Sequence, residues 1–162
     1  MFKRKAFTLI ELLIVIAIIA ILAGIIITAT TGATKKARDS KRVADIQMLQ
    51  TALVQYEADN GKYPSSLQDL VNGGYISAIP VDPEDKTQVH ENTATSSGLI
   101  YVVNSDQDKY LLAANLERDD TSALDGDIDG SVTIGGVTVD CADETACDGT
   151  SGKHCYCTGI TQ

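Results

Sequence analysis

The hydrophobic pattern divides the chain into two unlike stretches. From Phe7 to Ile27, 21 residues run with a single charge, Glu11. As a helix rising about 1.5 Å per residue, that stretch covers about 30 Å, the hydrocarbon thickness of a bilayer. Further on, Val43, Ile46, Leu49, Leu53 and Tyr56 recur at spacings of three, three, four and three, which is one face of an amphipathic helix. Arg38, Asp39, Lys41, Arg42, Asp45, Gln50 and Glu57 fall elsewhere around it. The two stretches read as one helix of roughly 50 residues that stops at Asn60-Gly61, with Pro64 just beyond to prevent its continuation. Between them, residues 28–34 (Thr-Ala-Thr-Thr-Gly-Ala-Thr) lower the local helix propensity, so a weak point or bend is expected there.

After the helix the period shortens. Ser66-Leu67-Gln68-Asp69 predicts a capping-box-like start to a short helix running to about Val71, with the Ser66 hydroxyl accepting from the N–H three residues on. Residues 84–98 are polar and predict a loop, with His90 in it as a solvated side chain. Residues 99–103 and 110–116 are apolar runs rich in strand formers and read as an antiparallel pair, one face on the helix and the other partly covered. Gly135-Gly136 between Val132-Thr133-Ile134 and Val137-Thr138-Val139 is a two-residue hairpin signal. The fold class is therefore α+β: a long N-terminal helix, half membrane-spanning and half amphipathic, packed on a small antiparallel sheet with a loop-rich C-terminus. No internal repeat interrupts this plan.

Charge sharpens the division. The mean hydropathy of +0.01 averages two dissimilar parts. Residues 1–62 hold 9 basic and 5 acidic side chains, residues 63–162 hold 4 basic and 17 acidic ones. A head carrying a net charge of −13 repels nucleic acid, whose non-specific binders draw their affinity from lysines and arginines on phosphates. A core built from about 100 residues is also small enough to need extra fasteners. The basic cluster Lys35, Lys36, Arg38, Lys41 and Arg42 fits either a solvated helix face or a specific contact.

The apolar stretch admits a secretory signal, a membrane anchor, or an anchor that is also an assembly element. Thr31-Gly32-Ala33 could serve as a signal cleavage site, but the run exceeds the roughly 7–15 apolar residues of a signal peptide, and Glu11 has no use in one. A carboxylate in the bilayer costs about 2.5–3.5 kcal/mol on insertion scales and calls for a partner. Residues 5–11 (Lys-Ala-Phe-Thr-Leu-Ile-Glu), followed by the apolar run through Ala23, resemble the N-terminal motif of type IV pilins and type II secretion pseudopilins. Asn60-Gly61-Lys62-Tyr63-Pro64 and Pro80-Val81-Asp82-Pro83 resemble two junctions of major pseudopilins. The resemblance implies that a prepilin peptidase cuts between Ala6 and Phe7, that Phe7 is then N-methylated, and that Glu11 pairs with the Phe7 amine of a neighbouring subunit. Two positions depart from the family pattern: Ala6 stands where Gly is usual before the cut, and Thr28 where many members have a kinking Pro. Basic residues flank the apolar run on both sides, so charge alone does not orient it. The motif does, placing Lys3, Arg4 and Lys5 in the cytoplasm and the head outside.

Two further groups carry candidate chemistry. Asp125, Asp127 and Asp129 alternate and are followed by Gly130, as in the first half of an EF-hand loop, but Gly136 occupies the place of its closing Glu. The half-loop reads equally as an acidic turn or as a calcium site closed by Asp119, Asp120 or Asp140. Major pseudopilins have a calcium site in loops of this region, so the resemblance implies calcium as the cofactor, with no organic one. Cys141, Cys147, Cys155 and Cys157 lie near His154, yet lack the paired spacing of common zinc sites. An even count outside the cytoplasm favours two disulfides. Of three pairings the nested one, Cys141 with Cys157 and Cys147 with Cys155, is preferred. No nucleophile–base constellation or phosphate loop is visible, and the chain reads as no enzyme.

These readings organise the chain into a leader at 1–6, a transmembrane and assembly helix at 7–30, its amphipathic continuation at 31–61 and an extracytoplasmic head at 62–162. The function they imply is a single-pass subunit of the bacterial cytoplasmic membrane that polymerises into a homo-oligomeric helical filament. That filament would be a cell-surface pilus or a periplasm-spanning secretion fibre, with the assembly machinery and minor pilins or pseudopilins as partners. The alternative is a membrane-anchored extracytoplasmic calcium-binding module that does not polymerise.

Overall fold

A computed structural model describes residues 8–119, 122–142, 145–150 and 152–160, and of residues 26–29 only the helical backbone. Helix α1 runs Leu9–Asn60 and α2 Gln68–Asn72; the strands are β1 (His90–Glu91), β2 (Leu99–Val103), β3 (Tyr110–Leu116), β4 (Ser131–Ile134), β5 (Val137–Asp140) and β6 (His154–Ile160). The chain divides into two compact units, Met1–Lys35 and Lys36–Gln162.

α1 ends where the sequence places its stop. Gly61 takes a φ of 72°, which a side chain would resist, and its N–H reaches the Glu57 carbonyl at 2.7 Å. Helical backbone continues through residues 28–34, where the Thr34 hydroxyl bonds back to the Thr30 carbonyl at 2.8 Å. α2 starts one residue later than the capping-box reading, with Leu67 and not Ser66 at its N-cap. Its N-terminal flank, Leu67, is already helical, and the Ser66 hydroxyl accepts from Gln68 N–H at 3.2 Å instead of Asp69. The Leu67 N–H goes to Glu91 at 2.8 Å, so a strand from across the head supplies that acceptor.

The main sheet has the order β1-β2-β3-β6. Here the expected antiparallel sheet is corrected to a mixed one, because the two residues of β1 pair with β2 in parallel. They lie within the stretch expected to be loop, and His90 is half-buried there instead of solvated. β2–β3 is the predicted antiparallel pair. β6, which the sequence reading left as loop, pairs antiparallel with β3 along seven residues, Tyr110↔Ile160 to Leu116↔His154. β4 and β5 form the predicted hairpin as a separate two-stranded sheet. Gly135 and Gly136 have φ of 58° and 81°, and a Cβ on Gly135 would lie 2.7 Å from the Val103 carbonyl oxygen. Gly135 therefore accepts no side chain.

The period-two alternation of strands decides the packing. Leu99, Tyr101, Leu112, Ala114 and Leu116 face Ile46, Leu49, Ala52 and Leu53 of α1. Ile100, Val102, Leu111 and Ala113 face the opposite way, onto Ile134, Val139 and the four cysteines. β2 and β3 are buried on both faces, which explains their continuous apolarity. Tyr101 is buried in this core and donates its hydroxyl to the Pro64 carbonyl at 2.7 Å. Tyr101→Phe strands that carbonyl, and chemical denaturation of the variant is expected to show a loss of about 1–2 kcal/mol.

Candidate assembly site

At the start of α1, Thr8 and Glu11 satisfy each other. Thr8 N–H and Oγ1 reach Glu11 Oε2 at 2.9 and 2.8 Å, and Glu11 N–H reaches Thr8 Oγ1 at 3.3 Å. This is the reciprocal capping box of a Thr-x-x-Glu start, closed by the chain itself. It uses donors that the first helical turn would otherwise leave open. The expected cleavage and methylation positions, Ala6 and Phe7, lie outside the described residues. From Leu9 to Ile25 the aliphatic side chains are exposed all round the helix, Leu9 to 88% and Ile21 to 67%. The helix is long and apolar enough to cross a membrane, and its most apolar window is wholly unburied in the chain itself. A contiguous apolar surface of this extent marks a membrane or protein interaction site.

In the head, the basic cluster makes specific contacts. Arg42 is fully buried. Its Nε and Nη2 take the two oxygens of Asp82 at 2.7 and 3.1 Å, and Nη1 takes Asp39 Oδ1 and Glu117 Oε1 at 3.0 Å each. Glu84 lies 3.3 Å from Nη2. Arg38 joins through Nε to Glu117 Oε1 at 2.6 Å. Asp39 is as buried as Arg42 and also accepts the Glu117 N–H at 2.9 Å. One guanidinium thus ties together α1, the segment following Pro80-Val81 and the residue after β3. Its planar fork suits this task, since it offers several donors in fixed directions. Sequence reasoning missed the cluster, although Asp39, Arg42, Ile46, Leu49 and Leu53 recur at spacings of three, four, three and four. That phase places both charges on the buried face. Lys41 instead lies near Asp45 and reaches the Val81 carbonyl.

The electrostatics follow from these contacts. Burial alone would lower Arg42, but the hydrogen bonds and charges of Asp82 and Glu117 outweigh it and raise it above the ordinary arginine value. Glu117 is held low by the Arg38 hydrogen bond, with Arg42 adding to it against burial. Burial pushes Asp82 up, yet Arg42 and the N–H groups of Glu84 and Asp85 bring it below its usual value. Folded carboxyls held low give stabilisation that is complete above the unfolded values, 3.8 for Asp and 4.5 for Glu, and is lost as pH falls through the lower folded values. Thermal melts should therefore fall below about pH 4, and Glu117→Gln should flatten that fall. An acid limb of equal steepness in parent and variant would reject the assignment.

The candidate calcium ligands are not gathered. Asp127 Oδ2 accepts the Cys157 N–H at 2.8 Å, and Asp140 accepts from Ala142 N–H and Thr145 Oγ1 at 3.3 and 3.1 Å. Among the described residues, no three carboxylates bring oxygens within 4.8 Å of one another. Asp125, Asp127 and Asp129 thus do not fit around one ion as they stand, while Asp120 lies outside the described residues. The cysteines form two bonds, Cys141–Cys157 and Cys147–Cys155, and none is free. This is the nested pairing preferred from the sequence. Asn115, wholly buried on β3, accepts the Cys147 N–H at 2.9 Å and donates to the Thr95 carbonyl at 2.9 Å, a bracing role with no sequence signal.

Residues 1–27 match the family model described as the prokaryotic N-terminal methylation motif, and residues 29–110 match that of type II secretion system protein G. Residues 111–162, with both disulfides, lie outside these two matches. Type II secretion system core protein G of Aeromonas hydrophila is 37% identical over 97 residues, covering 50% of this chain and 68% of its own. The protein of the same name from Escherichia coli K12 is 36% identical over 97 residues, with 50% and 67% covered. That from Klebsiella pneumoniae is 35% identical over 97 residues, with 50% and 69% covered. No solved structure gives a significant match.

Proposed function

Because the chain belongs to the type II secretion system protein G family, a family of structural pseudopilin subunits, we propose that its N-terminal helix serves first as a membrane anchor and then as the packing element of a filament. The observation that carries this reading is the apolar surface of Leu9–Ile25, exposed on every side, with one carboxylate, Glu11, at its start. Lipid covers such a surface in the precursor, and identical helices cover it in a fibre. The two environments are nearly equal in apolarity, so packing and polar pairs decide the transfer. Glu11, already bonded to Thr8, sets register by exchanging part of that local bonding for the Phe7 amine of a neighbour. The acidic head lies outside the cytoplasm on the surface of the fibre, where its charge keeps filaments apart. Its role is structural, and prepilin peptidase, the assembly platform and minor pseudopilins are its partners.

Intact mass and N-terminal analysis of the chain from its native cell tests the proposal. The expected product has 156 residues and begins with N-methyl Phe7. A product retaining Met1 would overturn it and favour an anchored module that never polymerises.

A further inference from the structure

β6 is an outer strand of the main sheet, and an open strand edge is a template for unwanted pairing. At its middle the edge is closed from within the chain. Asp127 Oδ2 accepts the N–H of Cys157 at 2.8 Å, and the next residue, Ile128, donates its N–H to the Cys157 carbonyl at 3.0 Å. Both groups that Cys157 turns away from β3 are thereby satisfied, as a neighbouring strand would satisfy them. The same stretch is fixed again two residues on, where Gly130 accepts the Cys141 N–H at 3.0 Å, and Cys141 is bonded to Cys157. The second bond, Cys147–Cys155, anchors the far side of the excursion, with Cys147 N–H on the buried Asn115. Asp125, Asp127 and Asp129 do not converge, and the Asp127 carboxylate is aimed at backbone of the sheet.

We infer that Asp127 is the edge cap of β6, acting as a hydrogen-bond acceptor and not as a metal ligand, and that the two disulfides give the head the bracing that a calcium ion would otherwise supply. Acceptance needs an oxygen but no charge, whereas the affinity of a calcium site falls as its carboxylates are replaced by neutral oxygens. The closure belongs to the free subunit, whatever that subunit builds.

Thermal melts of the full chain purified in detergent test this, with Asp127→Asn and Asp127→Ala beside the parent, each in EGTA, in calcium chloride and after reduction with a dithiol. The parent is expected to melt at the same temperature in EGTA and calcium, and lower after reduction. Asp127→Asn, which keeps an amide oxygen for the Cys157 N–H, should melt close to the parent. Asp127→Ala should fall by about 5 °C or more and form larger oligomers through the opened edge. A calcium-dependent rise in the parent that Asp127→Asn weakens or Asp127→Ala abolishes would overturn the inference and make Asp127 a ligand. Unchanged melting of Asp127→Ala would overturn it too. Should Asp127→Ala fail to fold, Asp127→Asn decides: parent-like melting without a calcium response supports the cap, and a melting temperature well below the parent's overturns it.

Discussion

Arg42→Ala is expected to remove about 3–5 kcal/mol from the stability of the head, as breaking one partner of a buried ion cluster does. Arg42 is fully buried, and its loss leaves Asp39 and Asp82 without a counter-charge and Glu117 with Arg38 alone. The cost arises from those stranded carboxylates more than from the contacts deleted. A domain stable by about 5–15 kcal/mol loses about a fifth of its margin or more, and the melting temperature falls by more than about 10 °C. Arg42→Lys keeps the charge but not the fork, so one ammonium cannot serve Asp82 through two bonds while also reaching Asp39 and Glu117. It should fall between parent and alanine variant. Arg38→Ala, at a side chain one-quarter exposed and with Glu117 still held by Arg42, should cost the least of the three. Urea titrations of the three variants give this order directly. Equal losses for Arg38→Ala and Arg42→Ala would show that the cluster is not centred on Arg42.

That cluster also marks how far the sequence could be read. α1 was legible because its signals agree: a period of 3.6, a single stop at Asn60-Gly61, and Pro64 behind it. The hairpin was legible from Gly135-Gly136, because both turn residues take a positive φ and glycine does so without strain. Residues 154–160 were not legible as a strand. Their alternation is carried by Cys155 and Cys157, which read first as cross-links or ligands, and Gly159 weakens the strand signal further. β1 is two residues of polar sequence held by pairing with β2, so tertiary contact alone makes it a strand. Arg42 shares the helical phase of Ile46 and Leu49, but a charge on an apolar stripe is normally discounted, and its partners come from forty or more positions away. The capping partner of Glu11 was within reach as Thr8-x-x-Glu11. It was overlooked because the family resemblance assigns that carboxylate to another subunit.

Those two partners of Glu11 can be separated by experiment. Glu11→Ala is expected to leave membrane insertion intact while filament yield falls about tenfold or more, since interfacial charge pairs couple by about 1.5–7 kcal/mol. Insertion survives because removing a carboxylate relieves the bilayer of about 2.5–3.5 kcal/mol. Assembly suffers because the neighbour's Phe7 amine then enters a low-dielectric bundle unpaired, which is costlier than leaving it in the membrane surface. Glu11→Gln distinguishes the roles. Its amide oxygen still accepts the Thr8 N–H, so the helix start is kept, but it offers no charge to an amine. If Glu11 served only the capping box, Gln would restore assembly; if it pairs with Phe7, Gln should fail nearly as badly as Ala. Comparing the membrane-fraction chain with sheared or cross-linked filament for the two variants reads both quantities at once. Parent-like filament yield from Glu11→Ala would reject the role of the carboxylate in assembly altogether.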